Sequence, residues 1–292
     1  MENKHNRSYV YKVALNSSML NDARILASEY IPEGSFVLDV GCACGDFGDY
    51  LHKAKGVKPY GFEYDEKSIE IAKLNNVYKS ILQIDLNSFD VNHYPDFHGF
   101  FDVIALIDVL EHTVEPQMVL TKLKVFLKEK GKFVISLPNA SFGEVKAKVL
   151  CDNFEYTEMG VLDTTHLRFY TYCTMADLIA KSSLSIQSST ATVGSFTKFL
   201  PKLPFFVRRH IINNPRSHIF QYIFSAAPSV TPYSVLVEKN IIALDLGWSF
   251  ITKPLRSIQG NPLVNFLLPI GSRRRLLMRK IINKISGATN AS

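Results

Sequence analysis

Three side chains in this sequence are suited to moving a proton: Asp108, His112 and His166. Asp108 and His112 stand four residues apart, where the apolar run from Phe101 to Ile107 gives way to polar residues. One turn of helix there puts both on one side, with Glu111 beside them. His166 lies in the polar and aromatic stretch DNFEYTEMGVLDTTHLRFYT, from Asp152 to Thr171. Either histidine can serve as a general base. A purely structural arrangement, with His112 capping its loop and His166 clustering with Asp163 and Arg168, uses the same residues. A second group is suited to binding. Gly41, Ala43 and Gly45 form a tight turn two residues after Asp39, and Glu63 and Asp85 follow at or near the ends of two further strand-like runs.

The elements that must position these groups are legible in order. Phe36, Val37, Leu38 and Val40 read as a buried parallel strand that enters the glycine turn, and Asp46 to Lys55 reads as the helix after it. Strand, turn and helix N-terminus together present N–H groups and a positive dipole end to an anionic group. A dinucleotide fingerprint is excluded, because its second and third glycines would fall on Ala43 and Asp46. Further strands are predicted at Pro59 to Tyr64, Ile81 to Leu86, within Phe101 to His112, where a hydrophobic strand passes into a polar turn, and at Lys132 to Leu137, Leu184 to Val193 and Tyr233 to Glu238. Helices are predicted at Met19 to Tyr30, Ser68 to Leu74, from Pro116 to a stop at Gly131, and Thr174 to Lys181. Alternation of strand and helix argues for a parallel sheet covered on both faces, with the acids Asp39, Glu63 and Asp85 sharing the crevice at the strand ends.

The turn Gly41-x-Ala43-x-Gly45 with its preceding Asp39 resembles motif I of the class I S-adenosylmethionine (SAM) methyltransferases. Leu162-Asp163-x-Thr165-His166-x-Arg168-Phe169-Tyr170-Thr171 is similar to a segment found in bacterial sugar, polysaccharide and small-metabolite methyltransferases. The resemblance covers residues 35 to 193. It implies a doubly wound, seven-stranded, mostly parallel α/β sheet of the Rossmann-like methyltransferase type and SAM as cofactor. The SAM contacts it implies are Asp39, Gly41, Ala43, Gly45, Glu63, Tyr64, Asp85, Leu86 and Ile107, with Glu63 on the ribose diol and Asp85 and Leu86 on the adenine. Methyl transfer is an in-line displacement in which alignment supplies much of the rate, and a hydroxyl acceptor must also lose its proton. Asp108-x-x-Glu111-His112 with the distal Thr165-His166 is also similar to ubiquinone-pathway O-methyltransferases and RNA 3′-end ribose methyltransferases. There these groups bind a divalent cation, although Asp108 stands where those families carry Glu. Two carboxylates and two imidazoles suit Mg²⁺, Mn²⁺ or Fe²⁺.

Composition sets the remaining bounds. A chain of 292 residues with 47% hydrophobic residues can bury a full core. Cys42, Cys44, Cys151 and Cys173 make neither a zinc pattern nor a disulfide framework, which fits a reduced, cytoplasmic compartment; Cys42 and Cys44 read as small fillers of the turn. The first residues show no signal-peptide pattern, and no run is long and apolar enough for a membrane span. After Asp245 there are eight basic residues and no acid, so the formal net charge of +6 falls to about −2 without them. The expected domains are an N-terminal cap over residues 1–34, a methyltransferase domain over 35–240 and a basic C-terminal extension over 241–292. Within the second lies a basic, aromatic lid insertion at 194–231. In the third, Arg275 to Ile285 reads as an amphipathic helix. The expected function is O-methylation of a hydroxyl on a sugar, glycan precursor or related metabolite. The alternatives are a metal-assisted quinone or RNA-ribose O-methyltransferase and a non-catalytic, membrane-associated assembly factor. The basic additions suit a lipid-linked acceptor or an anionic membrane surface before nucleic acid, placing the protein in the cytoplasm or peripherally on the membrane.

Overall fold

The computed structural model describes residues 12–246. Seven strands form one sheet in the order β3-β2-β1-β4-β5-β7-β6. They are β1 (Phe36–Val40), β2 (Lys58–Glu63), β3 (Ile81–Gln83), β4 (Phe101–Ile107), β5 (Leu127–Pro138), β6 (Leu184–Val193) and β7 (Ile219–Pro228). β7 alone runs antiparallel, against both β5 and β6. The helices are α1 (Ala23–Ser28), α2 (Asp46–Lys55), α3 (Glu66–Leu74), α4 (Pro116–Leu123), α5 (Gly143–Val149), α6 (Tyr172–Lys181), α7 (Phe205–Asn213) and α8 (Tyr233–Leu246). The strand order reverses beside β1, between β1 and β4, so a crevice opens at the carboxyl ends of those two strands.

Local chemistry explains the elements nearest that crevice. In β1 every residue after Phe36 is buried, as a strand covered on both faces requires. α2 starts at Gly45 (φ +80°) and stops at Gly56 (φ +63°). Asp46 and Asp49 lie in its first turn and His52, Lys53 and Lys55 in its last, each charge matched to the helix dipole. The Asp65 side chain accepts from the Ser68 N–H and so starts α3. One core joins Val37, Val103, Ala105, Val134 and Ile223 of the sheet to Ala23 and Ala27 of α1 and to Phe47 and Leu51 of α2. A second, smaller core holds Phe142, Val145, Val161, Leu162, Phe196, Leu200, Leu203 and Ile211, beneath the segment between β6 and β7. Burying each large apolar side chain in these cores contributes about 1.5–3 kcal/mol.

Several boundaries differ from the sequence expectation. The seventh strand is not Tyr233 to Glu238 but Ile219–Pro228, inside the predicted insertion, which shrinks to residues 194–218. Ile219 to Phe224 is rich in aromatic and β-branched residues and pairs on both sides, whereas Tyr233 follows Pro232 at a helix start and α8 packs on α6 and β6. The first helix is only six residues long, β3 stops at Gln83, and α4 gives way at Leu123 to a 3₁₀ turn, leaving Gly131 inside β5. Arg275 to Ile285 and the first eleven residues lie outside the described part.

Candidate active site

A cavity of about 860 Å³ opens at the strand ends. The glycine turn, Ile107 and Asp108 line one side, and Met159, Gly160, Asp163, Thr165 and His166 line the other. Asn21 to Arg24, Val193, Phe220 and Gln221 close it. Its two sides differ in how their polar atoms are used.

On the turn side nearly every group has a protein partner. Gly41 has φ +69°, and a Cβ there would stand 2.7 Å from Val109 Cγ2, so the position requires glycine. The Gly41 and Cys42 N–H groups donate to the Phe62 carbonyl, and the Ala43 N–H donates to Glu63 Oε2 at 2.7 Å. The other Glu63 oxygen accepts from the N–H groups of Tyr64 and Asp65. Glu63 therefore ties the turn to the end of β2 and retains only about one of its four lone-pair sites for a ligand. Asp39 is buried and accepts from the Tyr78 hydroxyl at 2.6 Å, while that hydroxyl accepts from the Gly48 N–H. Burial is the main cause that pushes the Asp39 carboxyl up to about 7; the Tyr78 hydrogen bond opposes it and the Glu63 charge adds to it. Burial likewise pushes the Cys42 thiol well up, so it is a filler and no nucleophile. Asp85 sits two residues beyond β3, where it accepts from Asn87 and Ser88. Glu63, Tyr64, Asp85 and Leu86 stand outside the cavity lining, whereas Asp39, Gly41, Ala43 and Ile107 line it. Gly45 lies at the turn's end, closed by Asn75 and Tyr78.

The opposite side is built around Glu111. Its 3₁₀ turn, Leu110–His112, follows β4 as the spacing implies. Glu111 is fully buried, and neither carboxylate oxygen has a hydrogen-bond partner. Its carbonyl accepts from the N–H groups of Leu167 and Arg168, which brings the loop of His166 against it. The Glu111 carboxylate and the two imidazoles present ligand atoms within 4.8 Å of one another, and His166 Nε2 is 4.0 Å from Glu111 Oε1. His112 Nδ1 faces the Thr165 carbonyl at 3.2 Å, and His166 Nδ1 faces the Val161 carbonyl at 3.1 Å. A carbonyl only accepts, so both Nδ1 atoms carry the proton and both Nε2 lone pairs are left for a ligand. Burial lowers the pKa of each imidazole, and for His112 the charge of His166 lowers it further. Burial first, then the Asp108 charge, raises Glu111 well above the usual carboxylate range.

Asp108 joins the two sides. It takes a left-handed backbone (φ +59°), rare for a residue with a Cβ, and its accessible surface faces the cavity. Ser136 Oγ accepts from the Asp108 N–H at 2.9 Å and donates to Asp108 Oδ1 at 2.8 Å; Gln221 donates to both. Burial raises Asp108, against the Ser136 hydrogen bond and the charges of His112 and Arg24. The structure thus brings Asp108, His112 and His166 together as the sequence implies. Sequence reasoning missed Ser136, Gln221 and Tyr78. The first two show only as polar interruptions of apolar strands, and Tyr78 carries no signal at all.

A family model described as a methyltransferase domain matches residues 7–188, more than half of the chain. The chain belongs to that methyltransferase family. A ubiquinone biosynthesis O-methyltransferase of Coxiella burnetii (strain Dugway 5J108-111) is 29% identical over 126 residues, 42% of this chain and 53% of the relative. A protein of the same name from Shewanella halifaxensis is 24% identical over 168 residues, 56% of this chain and 71% of the relative. The chain spans about half the length of the first of these. Among solved structures, the O-methyltransferase of a Brevibacillus brevis trans-AT PKS multienzyme, in complex with S-adenosyl-L-homocysteine, superposes with a TM-score of 0.51. It is 16% identical, and the match covers 80% of this chain and 83% of that one. A Bacillus halodurans C-125 chain assigned as a methyltransferase gives 0.52 at 12% identity, covering 71% and 99%. At such identity these structures show the fold alone, and that fold is the Rossmann-like methyltransferase sheet.

Proposed function

We propose that this methyltransferase uses SAM to methylate a hydroxyl oxygen, and that Glu111, His112 and His166 hold a divalent cation at the acceptor. The observation that carries this reading is the Glu111 carboxylate, buried without a hydrogen-bond partner and faced by two Nε2 lone pairs. Such a group costs several kcal/mol to bury alone and is what a cation site looks like before its ion. The turn residues fit SAM: Gly41 and Ala43 line the cavity, and Asp46 and Phe47 at the N-terminus of α2 border it. A divalent cation held by Glu111, His112 and His166 would supply Lewis-acid chemistry, making an acceptor hydroxyl easier to deprotonate. The chain's own residues orient and exclude. The Thr165 and Val161 carbonyls fix both imidazole tautomers, and the Ser136–Gln221 clamp holds one Asp108 oxygen. Asp108 lines the same cavity and keeps its second oxygen outside the clamp, where it can accept the departing proton.

For the acceptor, the likeness to ubiquinone biosynthesis O-methyltransferases supports a hydroxylated ring of the quinone type, in keeping with the apolar wall of Met159, Phe220 and Pro138. A sugar hydroxyl is the second reading, favoured by Asn21, Asp163, Thr165 and Thr192 on the same cavity. The test is methyl transfer from labelled SAM to a panel of catechols, hydroquinones and sugars, before and after chelation. Transfer to a hydroxyl that stops on chelation and returns with Mg²⁺ or Mn²⁺ is expected. Undiminished transfer after thorough chelation would remove the cation.

A further inference from the structure

Away from the cavity, the surface with the strongest character lies on the segment between β6 and β7. α7 opens with Phe205 and Phe206, which are 69% and 73% exposed. The other large apolar residues around them, Leu200, Leu203 and Ile211, are buried in the second core, so these two phenylalanines contribute little to folding. Lys198 and Lys202 are exposed on the approach to α7, their ammonium groups 5.8 and 5.2 Å from the centre of the Phe199 ring. Lys148 lies 5.6 Å from the same ring, which brings the end of α5 to this side, with Val149 and Leu150 half-exposed there. Lys148 is matched by Glu144 at 3.5 Å. Among the described residues no ion pair matches Lys198, Lys202 or Arg209, and no acid occurs in the chain between Asp177 and Glu238. An open groove of about 800 Å³ alongside is lined by Phe206, Arg209, His210 and Asn213, the last three of which carry donors for phosphate.

We infer that this face, Phe205 and Phe206 flanked by Lys198, Lys202 and Arg209, docks the protein on an anionic lipid bilayer. Two exposed aromatic rings among unneutralised cations match an interface that is apolar below and negatively charged at its surface. The aliphatic Val149 and Leu150 separate this from a single-stranded nucleic acid, which stacks on rings and gains little from aliphatic side chains. The inference does not depend on the acceptor or on methyl transfer, so its test is separate from that of the proposed function.

The test is flotation of the full chain with vesicles of phosphatidylcholine alone or with about one third phosphatidylglycerol. The wild type is expected to float with the anionic vesicles. The double variant F205S/F206S should lower the partition coefficient by about tenfold or more, and K198E/K202E should lower it by a similar factor on anionic vesicles. Thermal melts of both variants should match the wild type, because all four side chains are exposed. The basic segment 241–292 is present in every protein compared, so undiminished flotation of F205S/F206S would overturn the inference. So would equal flotation with both lipid mixtures, or binding of a single-stranded oligonucleotide without binding of vesicles.

Discussion

The two sides of the cavity are built on opposite principles. On the donor side Asp39, Tyr78, Glu63 and the glycine turn satisfy one another, and a ligand finds a finished surface. On the acceptor side the Glu111 carboxylate has no hydrogen-bond partner, and two imidazoles present unshared lone pairs beside it. A self-satisfied network can hold its shape without ligand, whereas a buried unpaired carboxylate is stable only if something else is gained by it. The proposed division rests on this difference: scaffolding in one half and a cation site in the other.

The largest effect that would break this contrast is on turnover. Glu111→Gln should lower methyl transfer by about 10²-fold or more while leaving SAM affinity, measured by calorimetry, nearly unchanged. Equal losses in both would mean that the halves are not separable.

Next in size is a pH effect on the donor half. Native Asp39 holds its proton to about pH 7, against 3.8 for the ordinary group. Between those values the unfolded chain binds fewer protons than the native one, so stability falls as pH rises and levels off above about 7. The full difference amounts to about 4 kcal/mol. Urea titrations in an Asp108→Asn/Glu111→Gln background, which removes the other two raised carboxyls, should show this slope, and Asp39→Asn should flatten it.

Gly48→Ala probes the same network by crowding, since a Cβ there would run into the Tyr78 hydroxyl and ring. A loss of about 1–3 kcal/mol in urea unfolding is expected. Ser136→Ala, which removes one buried hydrogen bond from the Asp108 clamp, should cost about 1 kcal/mol. Lys53→Ala, which breaks the exposed pair with Asp49, should change stability by less than about 0.5 kcal/mol and serves as the lower bound.

Legibility in the sequence followed the same divide. The turn, β1, α2 and the strand-end acids announced themselves because local chemistry dictates them: glycines where φ is positive, apolar runs where both faces are covered. Their hydrogen bonds were less visible. Glu63 was expected on a ribose, and the structure shows it first binding three N–H groups of its own chain. The seventh strand was misplaced because Val235, Leu236 and Val237 have strand-like side chains, while their packing against α6 and β6 favours helix. Asp108 and His112 were legible as a pair from spacing, and His166 from its place in the polar, aromatic stretch after the fifth strand. The isolation of the Glu111 carboxylate was not, since it is a property of the tertiary fold, in which Leu167 and Arg168 of a distant loop pair with the Glu111 carbonyl and leave its carboxylate without a partner.

The most direct test of the unfinished acceptor half is a titration of the full chain with Mn²⁺, followed by electron paramagnetic resonance, in the presence of SAM. One bound ion per chain is expected, lost in Glu111→Gln and in the His112→Ala/His166→Ala double variant while SAM binding persists. Absence of binding in the wild type, or unchanged binding in Glu111→Gln, would contradict the account.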